Sequence, residues 1–104
     1  MKLLSIDYIP DTKIEALGMV KGTIVQTKHI GRNFMAGLKT LVGGEIVGYT
    51  EMLNEARQIA VKRMVDEALG LGADAVIGVK YGSSQVMSGA AEVIAYGTAV
   101  KIIQ

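Results

Sequence analysis

Apolar and polar positions along this 104-residue chain change period several times, and each change marks an element. After the turn signal Pro10-Asp11, Ile14 to Val25 alternates with a period of two and predicts a strand. One face carries Ile14, Ala16, Gly18, Val20, Gly22 and Ile24; the other carries Glu15, Leu17, Met19, Lys21, Thr23 and Val25. Gly18 and Gly22 lie on the all-apolar face, where missing side chains let a helix backbone sit close. Phe34, Met35, Leu38 and Leu41 recur at helical spacing, which predicts a short helix over Gly31 to Leu41, ended by Gly43-Gly44. From Thr50 to Leu71 the period is helical throughout. Met52, Leu53, Ala56, Ile59, Ala60, Met64, Val65 and Ala68 form its apolar stripe. Glu51, Glu55, Gln58, Lys62 and Asp66 form its wet side, where Lys62–Asp66 and Arg63–Glu67 stand one turn apart and can pair. Gly70 and Gly72 end this helix, the second well placed for a left-handed C-cap.

Two more strands follow: Ala75 to Tyr81, then, beyond a polar loop of Gly82-Ser83-Ser84-Gln85 and the turn Ser88-Gly89, Glu92 to Ile102. Their connection is short enough for a hairpin, so they are expected to be antiparallel neighbours. The shared Gly-Thr-x-Val of Gly22 to Val25 and Gly97 to Val100 reflects two strands under similar local rules, not a repeat. Strand, short helix, long helix, strand, strand predicts an α+β domain over residues 1–104: a two-layer α/β arrangement with an antiparallel sheet on one long helix. The last strand shows Ile94, Tyr96, Thr98, Val100 and Ile102 on one face, and Val93, Ala95, Gly97 and Ala99 on the other. One helix cannot cover both. An antiparallel sheet normally turns a polar face to water, and monomers rarely expose large apolar patches. The second face therefore predicts a homo-oligomer, with Ile94, Tyr96, Val100 and Ile102 at the interface.

Composition adds to this. Half of the residues are apolar and 20% charged, which is apolar for a domain that buries only about two thirds of its unfolded surface. Disorder is excluded. Eleven basic against ten acidic residues leave a net charge of +1, so no nucleic acid or membrane partner is called for. The absence of cysteine excludes disulfides, thiolate metal sites and cysteine nucleophiles. The N-terminal apolar run is too short for a secretory signal, and no stretch approaches the ~18 apolar residues of a membrane span. A soluble, cytoplasmic protein is the expectation.

Candidate chemistry is sparse. His29 is the single histidine, and its neighbours Lys28, Ile30 and Arg32 are not ligands, whereas a transition-metal site needs three or four donors. Met1, Met19, Met35, Met52, Met64 and Met87 are scattered with no ligand-like spacing, and core filling accounts for most of them. Glu51 and Glu55 share a helix face but have no histidine beside them; carboxylates near a helix N-terminus have a simpler reason in the helix dipole. Gly43-Gly44-Glu45 with Gly48 could leave backbone N–H groups for an anion, but lacks the Gly-Lys-Ser/Thr of a P-loop and reads better as a connection. Ala16 to Gly44 holds no acidic residue. There Lys21, Lys28, Arg32 and Lys39 could bind a phosphate or a nucleic acid backbone if they converge, with Lys28, Arg32 and Lys39 as the candidate anion site. Phe34 is the only aromatic nearby, which leaves base stacking little to use. Ser5, Ser83, Ser84 and Ser88 have no base beside them in sequence, and a triad with His29, or an acid/base pair using Tyr49, has no support. No catalytic or cofactor-binding residue is predicted, and the chain is expected not to be an enzyme.

The segments Leu41-Val42-Gly43-Gly44, Tyr49 with Glu51, Ala56-Arg57, Leu71-Gly72-Ala73-Asp74-Ala75-Val76-Ile77-Gly78-Val79 and Ala95-Tyr96-Gly97-Thr98-Ala99-Val100-Lys101-Ile102 together resemble the YbjQ-like family. The resemblance spans nearly the whole chain. It implies a dodecin-like subunit that assembles into a ring, typically of five copies, in agreement with the two apolar strand faces. The family's name implies heavy-metal binding. With one histidine and no cysteine, such a site here would have to be shared between subunits, using His29 or methionines around a ring axis.

Overall fold

The computed structural model describes residues 1–27, 41, 42 and 45–103. Among these residues seven elements follow in order: β1 (Lys2–Leu3), β2 (Ile14–Thr27), β3 (Leu41–Val42), β4 (Glu45–Ile46), α1 (Val47–Gly70), β5 (Ala75–Met87) and β6 (Ala90–Ile102). The main sheet has the order β1-β5-β6-β2, and β3 and β4 pair separately. The long strands are antiparallel, as expected, but β1 joins β5 in parallel, so the sheet is mixed. The predicted helix over Gly31 to Leu41 lies outside the described residues, except that Leu41 opens β3.

The long helix begins at Val47 rather than Thr50, taking Gly48 into its first turn instead of a glycine-rich approach loop. Nothing from Val47 to Tyr49 breaks a helix as proline would. Its end follows the expectation closely. Gly72, at φ 79°, donates to Leu69 O and Ala73 to Ala68 O, each at 3.0 Å, the paired bonds of a Schellman cap. Ala68 and Ala73 are both buried, so the cap also closes the core.

The hydrophobic stripe of α1 narrows in the structure to Met52, Ala56, Ala60, Met64 and Ala68, all buried at intervals of four. It lies over β2 and β6. Three of the five are alanine, so the helix can approach the sheet closely. Gly22 shows how closely: a Cβ there would collide with Ala60 O and Met64 N. Val20, Val76, Val93, Ala95 and Ala99 complete this layer from the strands.

Three register shifts interrupt the pairing, one of them beside the hairpin turn between Gln85 and Met87, and the other two change which side chain faces where. In β2 the register shifts between Ala16 and Gly18. Ile14 and Ala16 therefore pair with Ile102 and Val100, on the face opposite the helix, while Gly18 onward follows the predicted alternation. Gly18 sits at φ 142° with nothing near its missing Cβ, so its role is the bulge and not helix approach. In β5 the shift falls between Ile77 and Lys80, with Gly78 at φ 62°. The expected polar loop Gly82 to Gln85 is instead strand, and β5 and β6 turn through Ser88 and Gly89 alone. Pairing with β6 outweighs the loop-like composition there.

Candidate binding surface

The face of the sheet opposite α1 has two parts. At one end a second cluster closes over it: Ile9, Ala75, Ile77 and Val100 are buried, with Leu4 and Ile14 packed against them. The N-terminal segment is held there by backbone bonds from Leu4 N to Val76 O, Val79 N to Leu4 O and Gly78 N to Ile6 O, at 2.8–2.9 Å. The β5 bulge turns the last two amides toward it. Asp11, at φ 55°, and the bond from Thr12 N to Ile9 O at 3.2 Å bring the chain round into β2.

Toward the hairpin end nothing in the described residues covers this face. Met19 is 77% exposed and Val25 54%, and Ile94, Tyr96 and Thr98 are half-buried between the neighbouring strands. By register Lys21 lies beside Tyr96 and Thr23 beside Ile94, with Lys80 on the other side of Tyr96. The result is a mixed patch of apolar and basic groups with Glu92 at its far end.

Of the predicted interface residues, Ile94 and Tyr96 lie on this patch and Ile102 is exposed beyond the covered end. Val100 is fully buried among Ile9, Ala75 and Ile77. Its side chain is taken up by the chain's own N-terminal segment, which the period of β6 could not reveal. The anion-site candidates Lys28, Arg32 and Lys39 lie outside the described residues, as do His29 and Met35. Met52 and Met64 are core; Met1, Met19 and Met87 are exposed. Glu51 and Glu55 are exposed on the outer side of α1, and Ser5, Ser83, Ser84 and Ser88 are exposed as well. Among the described residues no three His, Cys, Asp or Glu side chains converge on one point, and no helix is long and apolar enough to cross a membrane.

The charged flank of α1 differs from expectation. Lys62 and Asp66 pair at 3.0 Å, but Arg63 and Glu67 do not pair with each other. Arg63 Nη1 donates to Thr23 O at 2.6 Å and Glu67 Oε1 accepts from Lys21 N at 3.1 Å. Both reach the edge of β2. The sequence cue was Gly22 opposite the helix, which brings this flank within reach.

Residues 1–103 match the family model YbjQ, described as "putative heavy-metal-binding". A UPF0145 protein of Helicobacter hepaticus is 61% identical over 103 residues, covering 99% of each chain. The chain belongs to this family. A second YbjQ relative, the UPF0145 protein of Clostridium novyi, is 57% identical over 103 residues, or 99% of this chain and all of its own. The crystal structure of a protein of unknown function in the DUF74 family from Pediococcus pentosaceus superposes with a TM-score of 0.65 at 21% identity, covering 98% of this chain and 97% of that one. That likeness shows a shared fold. The YbjQ description carries no enzymatic activity.

Proposed function

We propose that this YbjQ protein is a non-enzymatic homo-oligomer whose copies meet on the face of the sheet opposite α1 and bind their ligand between subunits. The carrying observation is the uncovered patch of Met19, Val25, Ile94 and Tyr96. Apolar surface of this kind, rimmed by polar groups, marks an interaction site. Val100 drops out of the interface; Ile94, Tyr96 and Ile102 remain in it. The family resemblance supports a dodecin-like ring of five as the form of the assembly, and the absence of cysteine is compatible with a cytoplasmic location. Light scattering on the eluting protein at micromolar concentration tests the reading: a multiple of the 11.0 kDa chain mass is expected, and a monomer overturns it.

The family description favours a second reading, heavy-metal binding at the subunit boundary. The described residues of one chain do not fit a metal site, since their acidic side chains do not converge. On this reading several copies supply the donors. Elemental analysis of untagged protein decides this: stoichiometric metal supports it, and its absence together with no thermal shift on adding copper, zinc or nickel ends it.

A further inference from the structure

β2 is an edge strand of fourteen residues. Such an edge offers a row of unpaired peptide groups to any other strand, a hazard that natural proteins manage case by case. Here α1 manages it. The N–H of Lys21 and the C=O of Thr23 point away from β6, and these two groups are taken by Glu67 and Arg63. The fit is geometric. Residues four apart on a helix are separated by about 6 Å along its axis, and residues two apart on a strand by about 6.8 Å. A helix running antiparallel to β2 thus lays Arg63 and Glu67 beside Thr23 and Lys21 in turn. Gly22, between the two capped groups, has no side chain to hold the helix off, and its Cβ would come within 2.8 Å of Arg63 Cβ.

We propose that Arg63 and Glu67 are an edge guard: they hold shut a strand-pairing site on β2 whose occupant is β2 of a second copy, running antiparallel. The second copy is favoured by what the edge presents. Pairing about a two-fold axis at Gly22 sets Lys21 against Thr23 of the second copy, and Met19 against its Val25. Met19 and Val25 are both exposed, and no like charges stand opposite one another. Centring the axis on Lys21 instead would oppose two ammonium groups. With both charged side chains in place, their bonds to Lys21 N and Thr23 O remove one of the two ladder bonds of each central Lys21–Thr23 pair, leaving only the bond from Thr23 N–H to Lys21 O.

The test replaces the guard with Arg63→Ala and Glu67→Ala together and compares mass by light scattering with that of the parent. Because the reference is the parent's own mass, the outcome is independent of whether the parent is a monomer or a ring. The double variant is expected to reach at least twice the parent's mass, while Arg63→Lys with Glu67→Gln, which keeps a donor and an acceptor, stays at the parent's. A folded double variant of unchanged mass overturns the proposal. Amide exchange at Lys21 gives a second readout should the double variant fail to fold. In Glu67→Ala, at a concentration too low for pairing, that amide should exchange roughly tenfold faster, as loss of a bond to a charged group predicts. An unchanged rate overturns the proposal as well.

Discussion

Gly22 in β2 and Gly70 in α1 differ in what surrounds the place where a Cβ would go. At Gly22 that place is filled by the backbone of Ala60 and Met64, atoms that cannot rotate aside. At Gly70, within the last turn of α1, nothing lies within 4 Å. Gly22→Ala is therefore expected to cost at least about 2 kcal/mol through overpacking. Gly70→Ala should gain about 0.5–1 kcal/mol, the helix propensity difference between the two residues. Urea unfolding of the two variants beside the parent checks both signs; a Gly22→Ala variant as stable as the parent would show that α1 can lift away from β2. The alternation of β2 singled out Gly22 for close helix approach, and rightly. It singled out Gly18 for the same reason, wrongly, because a bulge leaves no trace in a two-residue period until the partner strand is known. The partners of Arg63 and Glu67 were hidden in the same way: i, i+4 spacing permits an ion pair, and only the nearby edge of β2 shows what each bonds instead.

Among the elements, the long helix, the long strands and the antiparallel β5–β6 hairpin were legible, because each has an apolar period that survives over many residues. The N-terminal segment was not. Leu4, Ile9 and Ile14 recur every five residues, a spacing that is neither the helix nor the strand period, and what unites them is the patch of β5 and β6 they cover. Their burial depends on backbone bonds to the β5 bulge, a feature of pairing and not of composition. Ile9 is the buried residue of this segment, so Ile9→Ala should cost about 2–4 kcal/mol by leaving a cavity over Val100 and Ile77. Lys62→Ala removes the exposed pair with Asp66 and should change stability by less than about 0.5 kcal/mol. Thermal unfolding distinguishes them: a large loss for Ile9→Ala beside an unmoved midpoint for Lys62→Ala. Equal shifts would mean that the N-terminal segment adds little to the core it covers.

At the scale of the whole molecule, long strands under a helix that covers only part of their width set the shape. The Cα radius of gyration is 16.9 Å, against about 13 Å for a compact chain of this length, and the extents are 54 × 25 × 17 Å. An elongated form has more surface to solvate, yet half of these residues are apolar. The sequence exposed that mismatch through the two apolar faces of β6, and the structure sharpens it to the patch on which Met19 and Val25 stand clear of their own core. Val25 provides the test. It is more than half exposed and belongs to neither core cluster, so a charge there leaves the subunit's packing intact. In a contact surface it would be desolvated beside the like charge of Glu92, its partner across the strand pair, at a cost of several kcal/mol. Val25→Glu is therefore expected to lower the assembled mass toward that of one chain with little change in circular dichroism. Leu71→Glu is the control: that side chain is also about half exposed, but it follows the C-terminal end of α1, away from the patch, and should leave the mass unchanged. If Val25→Glu keeps the parent's mass while Leu71→Glu breaks the assembly, the copies meet at the helix end and not on the open sheet.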